Sequence, residues 1–183
     1  MSRTPRAPSI NVAGYLRGTV SLFVSYSHRN RVWMERLAPL LNGFQYDDRL
    51  RSRPGLQYLH AWHDQELTQG NPWDGEIRDE LDTMDVFVPL VSAHFFASRY
   101  IQDVELKRAE ERFDDGEILV VPILLYDTNL RQKCPFLHQF GTLPAWDKWW
   151  SSYPDVNDAH RLIDDGLWRA IDQALNRKVR KKQ

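Results

Sequence analysis

Ile118-Leu119-Val120-Val121-Pro122-Ile123-Leu124-Leu125 sets eight residues in a row without a polar side chain, between Glu117 and Tyr126. A strand with one wet face alternates apolar and polar residues, whereas an unbroken run this short is a strand covered on both sides. Two stretches upstream read the same way. Val20, Leu22 and Val24 alternate with Ser21, Phe23 and Ser25, and Asp85-Val86-Phe87-Val88-Pro89-Leu90-Val91-Ser92 is apolar from 86 to 91. Helical spacing fills the intervals. Trp33, Leu37, Leu40 and Leu41 follow the first strand at i, i+4, i+7 and i+8, and Pro39 is expected to kink or shorten that helix. Gln57 to His63 reads as the second strand and ends at Asp64. Behind Pro72, the stripe Trp73, Ile77, Leu81 and Met84 marks the second helix. A third helix runs from about Arg99 to Phe113, closed by Asp114-Asp115-Gly116. The last carries Ala159, Ile163, Leu167, Ala170, Ile171 and Ala174 on one face. Residues 43–56 read as a loop by composition, and 127–155 as irregular.

Alternating covered strands and amphipathic helices predict a parallel sheet with right-handed connections. The fold class is α/β: a flavodoxin-like three-layer sandwich with a five-stranded parallel sheet, its short fifth strand near Lys148–Ser152. A chain of 183 residues with 42% apolar and 27% charged residues can build one packed domain, which excludes wholesale disorder. The single cysteine, Cys134, excludes an internal disulfide framework and a cysteine-based zinc site. No apolar run is long enough to span a membrane, and the arginine-bearing N-terminus has no apolar segment of the secretory kind, so the cytoplasm is the expected address.

Charge is unevenly spread. Eight of the 24 basic residues lie in 1–18 and 177–183, leaving 16 basic against all 25 acidic residues in 19–176. An acidic body argues against a nucleic-acid-binding core. The expected organisation is a flexible basic segment over 1–18, one domain over 19–176 and a basic, solvated tail over 177–183.

Ligands in such sheets bind outside the carboxyl ends of the strands. No glycine-rich phosphate loop stands there: Tyr26-Ser27-His28-Arg29-Asn30 follows Ser25, which disfavours dinucleotide oxidoreductases and P-loop enzymes. The acidic pair and the third-strand aspartate of a phosphoacceptor are missing as well. His60 and His63 point to opposite faces of a strand and cannot share a metal, and Ser92 with His94 makes no nucleophile elbow. What remains is a carboxylate among aromatics. Glu105 lies one helical turn from Ile101 and from Ala109, which makes it either an edge residue reaching water or a carboxylate held in a cleft. Ser98, Tyr100 and Ile101 open the same helix, where free N–H groups favour an anionic ligand group. Tyr26, Trp62 and Trp73 are either core residues or surfaces for a nucleobase or pyridinium ring.

The string Leu22-Phe23-Val24-Ser25-Tyr26-Ser27, Ala61-Trp62-His63-Asp64, Leu67-Thr68-Gln69-Gly70-Asn71-Pro72-Trp73, Asp85 to Ser92, Ser98 to Leu106 and Val121-Pro122-Ile123 resembles the bacterial Toll/interleukin receptor (TIR) domains over about 19–175. The resemblance implies cleavage of the nicotinamide–ribose bond of NAD+, giving nicotinamide with ADP-ribose or a cyclic isomer. NAD+ is then the substrate; no cofactor and no metal is implied. Glu105 matches the catalytic glutamate of the family. Tyr26, Ser27, His28, Trp62, Asp64, Trp73, Ser98 and Ile101 fall at substrate-binding positions. Where active relatives carry a basic residue and a Trp or Cys, this chain has His28 and Ile101. Leu67, Gly70, Asn71 and Pro72 lie in the loop through which such domains self-associate, and a separate effector or activating partner fits the same picture. Antiphage immune signalling is the implied setting. Two other readings stand beside the enzyme: a non-catalytic interaction or adaptor module, and a nucleoside deoxyribosyltransferase-like glycosidase.

Overall fold

Side-chain alternation along β1 (Thr19–Ser25) decides which helix covers which face of the sheet. The computed structural model describes residues 19–51, 58–63 and 74–180. Its strands run in the order β2 (Tyr58–His63), β1, β3 (Val86–Val91), β4 (Leu119–Val120), with β5 (Ile123–Leu124) also on β3, and every pairing is parallel. Val20, Leu22 and Val24 bury one face together with Val86, Val88 and Leu90, beneath α1 (Arg31–Gly43) and α8 (Val156–Arg180). Phe23, Phe87 and Val91 bury the other face beneath α3 (Asp74–Thr83), α4 (Ala93–Ala97) and α5 (Lys107–Asp114). The three-layer α/β sandwich expected from the alternation is therefore the fold.

Two details of the sheet differ from the sequence pattern. The eight-residue run splits into β4 and β5, although both keep one register on β3: Val86 opposite Leu119, and Leu90 opposite Ile123. The break falls where that register sets Pro89 against Pro122, because neither proline has an N–H to give to the ladder. Beyond it, the expected strand near Lys148–Ser152 is a 3-10 turn over Trp150–Ser152. Trp150 is drawn fully into the core, its ring 5.0 Å from Trp33 and its Nε1–H donated to the carbonyl of Val156, 3.1 Å away. The sheet edge is taken instead by Leu143, which bridges to Ile123 through bonds of 2.8 Å to Pro122 and Leu124.

The helices depart from the pattern in several places: α4 has no counterpart in it, and the stretch 127–155, read as irregular, holds two single turns, α6 (Leu130–Lys133) and α7 (Pro135–His138). Pro39 lies within α1, which continues to Gly43. Residues 44–51, read as loop, form a 3-10 turn (Phe44–Tyr46) and one turn of helix, α2 (Asp48–Arg51), docked on α8. Phe44 meets Trp168 edge-on at 5.0 Å, while Arg49 stacks over Trp168 at 4.7 Å and pairs with Asp47 and Asp164, each at 2.6 Å. Composition could not show this, because Asp164 and Trp168 lie more than 100 residues downstream.

α8 also carries on into the basic end. Arg177 donates to the carbonyl of Ile118 at 2.8 Å, and Lys178 binds the carbonyl of Thr19 at 2.7 Å and Asp85 at 2.6 Å. The same carboxylate accepts the amide of Ser21 at 2.8 Å. Burial pushes the Asp85 carboxyl above its ordinary value, with Lys178 and the Ser21 amide pulling it down.

Candidate active site at the carboxyl edge of the sheet

Ser25 stands two residues beyond Phe23 and so shares the face of β1 that the Glu105 helix covers. That helix, residues 99–114, is not uniformly α. Ile101–Leu106 form a π-helical turn ahead of α5. Such turns hold one residue more than an α-turn and recur at functional sites, where they aim a side chain that a regular helix would aim elsewhere. Glu105 lies inside this turn. It is 3% exposed, so its carboxylate is turned into the protein rather than out to water. The hydroxyl of Ser25, itself 2% exposed, donates to Glu105 Oε2.

A second buried pair fixes the loop leading out of β1. Ser92, at the end of β3, donates its hydroxyl to Asn30 Oδ1 at 2.6 Å and accepts the amide of Phe95 at 3.0 Å, capping α4. Asn30 closes the 3-10 turn His28–Asn30, its N–H 2.6 Å from the carbonyl of Ser27. The polar stretch Ser27–Asn30 offers capping residues for α1, yet neither Ser27 nor Asn30 makes a side-chain cap bond. Asn30 instead ties the first loop to the third strand.

The structure distributes the sequence-derived site residues unevenly. Tyr26 is buried in the same core as Trp33, whose indole N–H donates to the hydroxyl of the exposed Tyr126 at 2.8 Å. Ser27 is half-buried and His28 exposed. Ser98 accepts the amide of Ile101 through its hydroxyl at 3.4 Å, while Ile101 is buried beside Phe95 and Leu106. Trp62 lies on β2 with its Cα opposite Phe23. Asp64, Leu67, Gly70, Asn71, Pro72 and Trp73 lie outside the described residues. The sequence weighs Ser92 only as a nucleophile, and gives neither Ser25 nor Asn30 a part in the site. The one signal for Ser25 is its parity with Phe23 on a strand that ends at the carboxyl edge of the sheet.

Among the described residues, hollows open elsewhere. One of about 260 Å³ at the end of β5 is lined by Asp127, Thr128, His138, Trp146 and Trp149. Another, of about 340 Å³, is a charged groove between α3 and the π-turn, lined by Arg78, Asp82, Asp103, Lys107 and Arg108. Glu105 lines neither of them. Among the described residues, no three His, Cys, Asp or Glu side chains come together as a metal site, and no helix is long and apolar enough to cross a membrane.

Chemically, a buried carboxylate at a sheet edge is suited to stabilising positive charge on a bound ligand, because the poorly polarisable surroundings screen it little. Comparison with known proteins agrees with the fold. The TIR domain family matches residues 22–163, from the middle of β1 through Glu105 into α8. The uncharacterized protein y4lF of Sinorhizobium fredii (strain NBRC 101917 / NGR234) is 32% identical over 164 residues, which are 87% of this chain and 45% of that protein. The chain thus spans less than half the length of that relative. The chain belongs to the TIR domain family.

Proposed function

We propose that this TIR domain cleaves the nicotinamide–ribose bond of NAD+, with Glu105 as the catalytic carboxylate. The observation that carries the reading is the buried Glu105 on its π-turn, bonded to the end of β1 at the edge where open parallel sheets bind ligands.

One carboxylate is enough for this reaction. As the C1′–N bond breaks, its electron pair returns to the pyridinium nitrogen and nicotinamide leaves as a neutral molecule, so the leaving group needs no acid. The ribose is left oxocarbenium-like, and an anion beside it lowers the barrier, as one carboxylate does in glycoside hydrolysis. Water then bonds to C1′ and releases a proton, giving ADP-ribose; capture by an atom of the same molecule gives a cyclic isomer. Ser98, Ser27 and the aromatic positions Trp62 and Trp73 are proposed to hold the dinucleotide. The loop with Leu67, Gly70, Asn71 and Pro72 is proposed to join one copy to the next. Signalling in a bacterial defence response, in the cytoplasm, is the setting that fits.

The experiment is incubation of concentrated protein with NAD+, with products identified by mass spectrometry. Glu105→Gln keeps the shape and removes the charge. It is expected to lower turnover at least about 100-fold, equivalent to about 3 kcal/mol of transition-state stabilisation. No cleavage by the wild-type chain refutes the enzymatic reading and leaves the interaction module; equal turnover by both proteins refutes Glu105 as the catalytic carboxylate.

A further inference from the structure

We infer that Ser25 is a positioning residue for Glu105: its hydroxyl keeps the carboxylate ionised and fixes its plane. This rests on Glu105 being the working carboxylate.

Three observations carry the inference. The first is placement. Ser25 is a strand residue held on both sides, since β1 pairs with His63 of β2 at Val24 and with Pro89 of β3 at Ser25 itself. Its Cβ is therefore fixed by two ladders, and a single rotor decides where the hydroxyl points. The second is burial. Both side chains are almost wholly removed from water, where a carboxylate stays charged only if donors replace the lost solvent. The Ser25 O–H is such a donor. The third is the π-turn. Glu105 lies in the one irregular turn of its helix, and that turn is the part of the helix that meets the end of β1. Two elements far apart in sequence are thus joined by a charge-assisted bond at the site of the proposed chemistry.

A donor to the ionised form lowers the pKa of a carboxyl, so removing it raises the pKa. The test uses Ser25→Ala, which deletes the donor, and Ser25→Thr, which restores a hydroxyl at the same place. Ser25→Cys, close in shape with a weaker donor, serves if the alanine variant does not fold. Three readouts are taken on the full chain: thermal melting, steady-state NAD+ cleavage across pH, and the titration of the Glu105 carboxyl carbon by 13C NMR.

For Ser25→Ala, kcat is expected to fall roughly 10- to 100-fold while KM moves less than about threefold, as befits a lost hydrogen bond to a charge. The acidic limb of the kcat profile and the NMR midpoint of Glu105 should both move upward by about one pH unit. Ser25→Thr should return both towards the wild-type values. An unchanged Glu105 midpoint in a folded Ser25→Ala protein overturns the inference, as does lost activity with an unmoved pH profile. Failure of the underlying reading looks different. If the midpoint moves as expected but neither wild type nor variant cleaves NAD+, the link between Ser25 and Glu105 is supported and the choice of substrate alone falls.

Discussion

Arg112→Met should destabilise this protein far more than its formal ion pair suggests. Arg112 lies two helical turns beyond Glu105, only 7% exposed, with its guanidinium turned into the end of α3. Nη1 donates to the carbonyls of Leu81 and Met84, at 2.7 and 2.9 Å, and Nε donates to Glu117 at 2.8 Å. The two carbonyls belong to the last turn of α3 and the residue after it. One cation therefore satisfies orphan acceptors and sits against the negative end of the helix dipole. Methionine fills much of the same volume and donates nothing.

Each buried acceptor left without a partner costs about 1–3 kcal/mol, and removing the desolvated charge gives part of that back, so the net loss is about 2–4 kcal/mol. For a domain of this size that is a fall in Tm of about 5–15 °C, read by circular dichroism melting and by denaturant titration. Glu117→Gln is the control. That side chain is 46% exposed, so the pair alone should be worth less than about 1 kcal/mol. Arg112→Lys should fall between, since one ammonium can reach the carbonyls without matching both and Glu117 together. A Tm for Arg112→Met within a degree of wild type, or equal losses in Arg112→Met and Glu117→Gln, would refute the reasoning.

Arg49→Ala should release residues 44–51 from α8 by removing the stacking on Trp168 and the pairs with Asp47 and Asp164. Because that side chain is 37% exposed, screening limits the loss to about 1 kcal/mol, seen as a small fall in Tm with the proposed NAD+ cleavage unaffected. His160 carries the pH prediction. Burial, helped by Arg36, holds its pKa below the ordinary 6.5, with Asp155 pulling the other way, and its Nε2 lies buried without a hydrogen-bond partner. A depressed histidine pKa means that the unfolded chain takes up the proton first. Stability is then fully present above pH 6.5 and lost as pH falls through the folded-state value. His160→Phe should flatten that acid limb in melting curves between about pH 7 and pH 5, and an unchanged limb would clear His160 of the effect.

The layers were legible because burial on both faces leaves a mark that needs no tertiary information. The apolar runs of β1, β3 and β4–β5 and the stripe of α8 all lie where their spacing put them. The split at Pro122 was not legible, since it depends on Pro89 standing opposite in the register. Nor was the docking of residues 44–51. Their polar composition looks like a loop until Asp164 and Trp168 come alongside. At the site, Glu105 could be singled out by its place on an apolar stripe, but helical spacing alone left it between solvent and cleft. The π-turn and the bond from Ser25 show the carboxylate turned into the protein. A π-turn leaves no mark in side-chain spacing over so few residues, and a serine in a buried strand reads as filler until its partner across 80 residues is known.

Lys178, near the end of α8, touches the carbonyl of Thr19, the first residue of β1, so the domain begins and finishes at one spot. A short linker could join those ends with little loss of chain entropy, and the chain could be opened instead at a tip such as Gly116, which has a positive φ and open space around it. Such a rewired chain would keep every strand neighbour while changing which segment leaves the ribosome first. The same adjacency makes the domain a natural insert: a host protein need spare only two neighbouring attachment points to carry it, and its own backbone would scarcely be parted.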